Sequence, residues 1–103
     1  MRSYLVFLPV TRDSSKQPHA RAAWEYFENQ CLQRFGGFTR FDSAIIGAWI
    51  APDSRRCDDT SRVYIVGVMP DDDVHFRELI RIAKCEFDQR AIMILEIGKA
   101  ELI

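Results

Sequence analysis

Apolar residues recur along the chain at two kinds of spacing, which predict strands and helices respectively. Runs rich in β-branched and aromatic residues predict four strands, at residues 3–10, 38–50, 62–69 and 91–97. Apolar residues three and four positions apart predict amphipathic helices over residues 18–35 and 72–87. The predicted order of elements is therefore β-α-β-β-α-β.

Residues with special backbone preferences support the ends of both helices. Pro18 has the backbone angle of a first helical turn, and Gly36 can take the left-handed conformation that commonly ends a helix. Pro70 breaks the third strand, and the carboxylates at positions 71–73 are good N-terminal caps for the second helix. Three aspartates followed by His75 could also bind a metal ion, but capping explains them without one.

This order of elements is the split β-α-β pattern of a ferredoxin-like sandwich, in which two helices cover one face of an antiparallel sheet. The length of the chain fits one domain, and no linker, repeat or low-complexity segment divides it. We therefore predict a single α+β domain over residues 1–103.

The sheet is predicted to be apolar on both faces, although helices cover only one. In the third strand, Val63 and Ile65 point to one side and Val66 to the other, and all three are apolar. We place Val66 on the face that the helices leave uncovered. An apolar face of this size exceeds what a monomer normally exposes, so we expect a second copy to cover it and predict a homodimer.

Charge and apolar length argue against nucleic acid and membrane partners. The 14 basic residues are matched by 15 acidic ones, which gives a net charge of −1 without a basic stripe. Proteins that bind nucleic acid usually need such a stripe to displace counterions from phosphates. The apolar start of the chain, residues 3–10, is too short for a membrane span or a convincing signal peptide, so we predict a cytoplasmic protein.

The 3 cysteines are widely spaced and form no CxxC pair, which predicts neither a disulfide framework nor a structural zinc site. Cys31 and Cys85 lie on or beside the apolar stripes of the helices, so we predict that both are buried and free. Cys57 lies in a charged loop between the second and third strands and should be exposed. No motif predicts a bound cofactor or a metal ion.

Candidate site residues are suggested by residue type alone. The side chains that could line a polar pocket are Arg40, Asp42, Trp49, Tyr64 and Glu86. Arg40 and Tyr64 on neighbouring strands could position a small carboxylate or carbonyl substrate, and His19 near a helix start could act as a general base. The alternative is that these are ordinary side chains on the surfaces of strands, that Trp49 lies in the core and that His19 is solvated. No triad, HExxH motif or phosphate-binding loop supports a particular reaction.

Short motifs in the chain resemble those of small bacterial and phage-associated proteins of an uncharacterised type. They are F-G-G-x-T at residues 35–39, G-x-W at residues 47–49 and F-x-Q-x-A-I at residues 87–92. The resemblance spans most of the chain and implies a ferredoxin-like or dimeric α+β barrel fold. It brings no established activity, so it assigns no catalytic residue.

Two function classes follow from these observations. One is a homodimeric binding or regulatory module whose partner is a small molecule or another protein. The other is a small dimeric α+β barrel enzyme, of the isomerase or cofactor-free oxygenase type, acting on a small organic substrate. A well-formed apolar pocket holding Arg40, Tyr64 or His19 would favour the enzyme, whereas a filled core with a flat apolar surface would favour the module.

Overall fold

The computed structural model describes all 103 residues and contains two helices packed on one face of a five-stranded sheet. The strands are β1 (Arg2–Pro9), β2 (Thr39–Arg40), β3 (Ile45–Ile50), β4 (Arg56–Val68) and β5 (Met93–Lys99). The helices are α1 (Arg21–Phe35) and α2 (Asp73–Glu86), and a short 3-10 turn at Pro70–Asp72 precedes α2. Neither helix has the length and apolarity that a membrane span requires.

The strands are arranged as in a ferredoxin-like sandwich. β1 lies in the middle of the sheet, paired with β4 on one side and with β5 on the other. β2 and β3 both pair with the outer edge of β4, and every pairing is antiparallel. The predicted fold class, α+β with a ferredoxin-like sheet, is therefore confirmed.

The second predicted strand, residues 38–50, is divided in two by residues 41–44, where the turn-forming Asp42 and Ser43 lie. β3 pairs with residues 56–61 of β4. These residues extend past the end of β1, because the last pair between β1 and β4 joins Pro9 to Ser61. Residues 45–61 therefore form a two-stranded hairpin outside the main sheet, which we call the arm.

The starts of the helices differ from the predicted ones. α1 begins at Arg21 after the extended Ala20, and Pro18 lies outside the helix in an isolated bridge with Thr11. Asp72 occupies the N-cap position of α2, but its side chain makes no capping hydrogen bond, so the predicted capping role was wrong. Asp73 instead accepts hydrogen bonds from the Tyr4 hydroxyl and Arg77, which hold the pKa of its carboxyl below the usual value.

Two of the three sequence motifs lie at the ends of the helices. Gly36 ends α1 in the left-handed conformation, with φ of 85°, as predicted. The buried Gln89 donates from Nε2 to the carbonyl oxygens of Thr11 and Phe87, which ties the loop after β1 to the end of α2. Gly47 lies on the arm. Two of the motifs therefore lie at connections and the third lies within β3, so the motifs do not converge on one site.

The hydrophobic core lies between the helices and one face of the sheet. The sheet contributes Tyr4, Val6, Leu8, Tyr64, Val66 and Val68, and the helices contribute Trp24, Phe27, Cys31, Phe76, Leu79 and Ala83. Val66 is fully buried among them, so its predicted place on the uncovered face was wrong. Alternation along β4 separates two sets of side chains, but only the docking of the helices decides which set is covered.

The opposite face of the sheet has no helix over it. Its apolar side chains, which we call the open face, are Leu5, Phe7, Val63, Ile65, Met93 and Leu95. Val63 is buried, whereas Met93 and Leu95 on the edge strand β5 are 60% and 50% exposed. Leu5, Phe7 and Ile65 are partly buried, so a single chain leaves uncovered mainly the part of this surface that β5 contributes.

The cysteines follow the predictions only in part. Cys31 is buried in the core, and burial raises the pKa of its thiol to about 12. Cys57 is partly exposed on the arm. Cys85 is exposed, so its predicted burial was wrong. It lies two positions after the buried Ala83, and residues at that spacing do not share a face of a helix.

Candidate functional site

The Glu28 carboxylate on α1 is contacted by side chains from both strands at the outer edge of the sheet. Tyr64 Oη lies 2.6 Å from Glu28 Oε2, and Arg40 Nη1 lies 2.7 Å from the same oxygen. Arg62 Nη1 lies 3.7 Å away, within the range of an ion pair. We call these residues the Glu28 cluster: Glu28, Arg40, Arg62 and Tyr64.

The secondary structure brings the Glu28 cluster together. Arg40 and Tyr64 are directly opposed in the pairing of β2 with β4. Arg62 precedes Tyr64 by two positions on β4, so both side chains lie on the side of the sheet that meets the helices. Glu28 directly follows the buried Phe27, which places it beside the apolar stripe of α1, over the same edge of the sheet.

Burial and hydrogen bonding set the protonation state of Tyr64 and Arg40. Tyr64 is fully buried, and this burial, together with its bond to Glu28, raises the pKa of the phenol. The hydroxyl therefore stays protonated and donates to Glu28. The hydrogen bond to Glu28 also raises the pKa of Arg40. Two guanidinium groups thus face one carboxylate, and the Glu28 cluster carries a positive charge in excess.

The excess charge is the property that a ligand could use. The side chains of Arg40 and Arg62 are 46% and 34% exposed, and each guanidinium has N–H groups beyond the one directed at Glu28. Arg62 also lies over the ring of Trp24, with Cζ 4.0 Å from the ring centroid, which restricts its motion. Paired, oriented guanidinium groups suit a carboxylate or a phosphate, while Glu28 holds both arginines in place.

The structure brings together only part of the predicted set. Arg40 and Tyr64 lie side by side, but Asp42 is in the loop between β2 and β3. Trp49 lies on the arm, where it is 50% exposed and its Nε1–H donates to Asp59 over 2.7 Å. The core position predicted for Trp49 was therefore wrong, since the arm extends past the layer of the helices.

Glu28 and Arg62 were missed by the sequence analysis. The sequence does contain one signal for Glu28, which is a charged residue directly next to Phe27 of the apolar helix stripe. Many charged residues have such a neighbour, and only the crossing of α1 over β4 distinguishes this one.

His19 lies outside the Glu28 cluster and is 9% exposed, so it is buried and not solvated as expected. Its Nε2 lies 2.8 Å from the carbonyl oxygen of Pro9, to which it can only donate. The ring contacts Trp24 and Phe87 edge to face. Burial lowers the pKa of the imidazole, so the neutral form is favoured and Nδ1 is left buried without a partner. This geometry joins the end of β1 to the start of α1 and closes Nδ1 to a substrate.

Two open depressions lie on the surface near the loop between β1 and α1. The larger, of about 430 Å³, is lined by Ala20, Ala22, Ala23 and Tyr26 together with Arg12, His19 and Glu86, and the smaller, of about 240 Å³, is lined mostly by polar residues. Neither includes a residue of the Glu28 cluster. The larger holds His19, but both depressions are open to solvent, so neither is the well-formed apolar pocket that would favour an enzyme. No group of three His, Cys, Asp or Glu side chains is close enough to hold a metal ion.

The fold and the Glu28 cluster define a small ferredoxin-like α+β protein with a charged cluster at one edge of its sheet. No protein-family model matches the chain, and no curated protein does. Solved structures of the same fold include a phage SAM lyase in complex with S-methyl-5'-thioadenosine, with 16% identity and a TM-score of 0.66 over 94% of this chain and 81% of that one. Another is the divalent ion tolerance protein CutA1 from Ehrlichia chaffeensis, with 15% identity and a TM-score of 0.56 over 99% and 84%. At these identities the likeness shows the fold alone.

Proposed function

We propose that the protein is a cytoplasmic, homodimeric binding or regulatory module in which each copy covers the open face of the other. The observation that carries the proposal is the uncovered apolar surface of the sheet, where Met93 and Leu95 are 60% and 50% exposed. Apolar surface of this kind normally marks an interaction site. A flat apolar face without an apolar pocket favours a module over an enzyme built from one chain.

A second copy covers the open face without any other component. The net charge of −1 produces little repulsion between copies, and a two-fold axis lets identical surfaces serve both partners. A large apolar side chain contributes about 1.5–3 kcal/mol when it is fully buried, so the half-exposed Met93 and Leu95 still contribute roughly 1 kcal/mol each. Association costs roughly 4–15 kcal/mol in lost freedom, so the dimer is favourable only if most of the open face is covered and not these two side chains alone.

Light scattering at micromolar concentration tests the dimer. We expect the wild type to have twice the chain mass of 12.0 kDa. Leu95→Asp places a charge on the open face and should give monomers. Leu32→Asp is the matched control, because Leu32 on α1 is 51% exposed and lies away from the open face. A wild type with the mass of one chain would contradict the proposal.

A second candidate function is that of a small dimeric α+β barrel enzyme acting on a small organic substrate. The Glu28 cluster favours it, because its exposed guanidinium groups suit a carboxylate or phosphate. The phage SAM lyase of the same fold is in complex with S-methyl-5'-thioadenosine, so a chain folded in this way can hold a small nucleoside. An isomerase or a cofactor-free oxygenase would use the same position, with Arg40 and Tyr64 as the first residues to test and His19 set aside by its burial.

Calorimetric titration with S-methyl-5'-thioadenosine and with inorganic phosphate tests this second candidate. We expect saturable binding of phosphate that Arg62→Gln weakens by about tenfold or more, as the loss of a charge-assisted contact does, whereas the uncharged nucleoside offers the guanidinium groups no such contact. Arg21→Gln on α1, where the side chain is 92% exposed, is the control and should bind as the wild type does. Binding that is absent in the wild type, or equal in both variants, would remove the Glu28 cluster as the site.

A further inference from the structure

We propose that the outer edge of β3 pairs with β3 of a second copy of this chain, antiparallel and about a two-fold axis that passes between the two Ala48 residues. This inference goes beyond the proposed homodimer and does not depend on it, because it uses the backbone of one strand edge and not the side chains of the open face. Where the open face also pairs, the β3 edges join one homodimer to another.

Among the edge strands of the sheet, only β3 lacks protection against pairing with another chain. β2 has only two residues, and β5 carries Glu96 and Lys99 and shifts its register with β1. The other edge of the arm, on β4, carries Arg56 and Asp58. Short strands, charged side chains and bulges are the features that keep edge strands apart. β3 is six residues long and fully exposed, pairs only with β4, and contains neither a charged residue nor a proline.

One hydrogen bond identifies the backbone groups of β3 that point away from β4. The N–H of Ala51 donates to the carbonyl oxygen of Arg55 over 2.9 Å, which continues the register between β3 and β4 by one pair. Bonding to the neighbouring strand alternates from residue to residue in an antiparallel pair. The N–H and C=O groups of Ile46, Ala48 and Ile50 therefore point to the edge that has no partner strand.

Two copies of this edge match each other. Groups that point outward can bond only to groups that point outward, so Ala48 lies opposite Ala48 of the second copy and Ile46 lies opposite Ile50 of the second copy. In this register every N–H and C=O of these three residues has a partner, and the two-fold axis makes both copies equivalent. A two-stranded hairpin is marginally stable alone in water, and pairing turns two arms into one four-stranded sheet.

The isoleucines of β3 gain cover in this register. Ile46 and Ile50 are 81% and 66% exposed and lie on the same side of the strand. Across the axis each comes directly opposite the other, at the distance where cross-strand side chains pack. The residues of β4 on this side are Arg56, Asp58 and Thr60, which lie one strand farther from the axis. The apolar contact is therefore confined to the two β3 strands.

The other side of β3 also fits this register. Trp49 lies opposite Gly47 of the second copy, in a pair without hydrogen bonds, where side chains approach most closely. Nothing lies within 4 Å of the position that a Cβ of Gly47 would take, so there is room for the indole ring. The Nε1–H of Trp49 donates to Asp59 on β4 of its own chain, which leaves the backbone edge of β3 open.

The first test is a disulfide across the axis. Ala48→Cys is made together with Cys57→Ser and Cys85→Ser, while Cys31 is buried. Opposed residues of a hydrogen-bonded antiparallel pair have Cα atoms about 5.5 Å apart, which a disulfide can span. Asp58→Cys in the same background is the matched control, because Asp58 lies opposite Ala48 on β4. Its two copies would be three strand spacings apart, about 14 Å, which a disulfide cannot span. In a glutathione redox buffer we expect about tenfold or more linked chains for Ala48→Cys than for Asp58→Cys.

The second test removes one outward N–H group. Ala48→Pro lacks the N–H that points away from β4, and the bonds within the arm do not use that group, so the arm should still form. Ala48→Ser keeps the N–H and is the matched control. One paired edge is a small interface, so sedimentation equilibrium is run at roughly 0.1–1 mM protein. We expect the mass of the wild type and of Ala48→Ser to rise above its value at micromolar concentration, and the mass of Ala48→Pro to stay at that value.

The two tests together decide the inference. Preferential linking at position 48, with no rise in mass for Ala48→Pro, supports pairing of the β3 edges. Equal linking at positions 48 and 58 shows only random collisions and overturns it, as does a rise in mass that Ala48→Pro leaves unchanged. A monomeric wild type at micromolar concentration contradicts the proposed homodimer alone. If Ala48→Pro fails to fold, as circular dichroism would show, the disulfide gives the answer.

Discussion

Replacing Glu28 by Gln removes a negative charge from the Glu28 cluster while keeping the size and shape of the side chain. The new amide oxygen can still accept from the Tyr64 hydroxyl, which lies 2.6 Å from the carboxylate, but only as a neutral acceptor. The guanidinium groups of Arg40 and Arg62 lose the charge that faces them. The variant therefore tests whether the carboxylate stabilises the packing of α1 on the sheet.

The expected cost is the sum of a buried and an exposed part. A hydrogen bond to a charged group contributes about 1.5–3 kcal/mol and one between neutral groups about 0.5–1.5, so the bond from Tyr64 weakens by about 1 kcal/mol. The contacts of the partly exposed Arg40 and Arg62 are screened by water and together contribute less than about 1 kcal/mol. We expect the free energy of unfolding to fall by about 1–2 kcal/mol, which lowers Tm by roughly 4–16 °C in a domain of this size.

Thermal unfolding followed by circular dichroism, with urea unfolding as a second measurement, gives this value. Glu25→Gln is the matched control on the same helix, since Glu25 pairs only with the largely exposed Arg21, at 2.8 Å. Its loss should cost no more than about 0.5 kcal/mol. Equal stability of the two variants would refute the reasoning that partial burial strengthens the Glu28 cluster.

Further predictions follow from individual buried residues. The free energy of unfolding should fall as the pH is lowered from about 7 to about 5. Burial lowers the pKa of His19 in the folded chain, whereas the unfolded chain takes up the proton near pH 6.5. His19→Gln should remove this dependence on pH, and His75→Gln should keep it. A thiol reagent should label the exposed Cys85 at once and the buried Cys31 only on unfolding, and equal rates would contradict the burial. Phe27→Ala should cost about 3–5 kcal/mol in urea unfolding, and a cost under about 1 kcal/mol would contradict its place in the core.

Element type and order could be predicted from the sequence because they depend on residues close together in the chain. Trp24, Phe27 and Cys31 recur at helical spacing, and the structure buries all three on one side of α1. Alternation along β4 likewise separates Tyr64 and Val66 from their neighbours. Such periodicity defines each apolar face before any packing occurs. The ferredoxin-like order and a second apolar face of the sheet could therefore both be predicted from the sequence.

Only the tertiary structure decided which of these faces is covered and which polar groups meet. Val66 lies on the buried side because both helices dock there, although either side of β4 was apolar enough to receive them. Tyr64 and Glu28, 36 positions apart, meet because α1 crosses the edge of the sheet above β4. The arm likewise exists because β4 continues past the end of β1, which no local pattern marks. The packing of the whole core sets how the helices dock and how the strands are registered. Contacts between distant residues therefore cannot be predicted from the periodicity of any one segment.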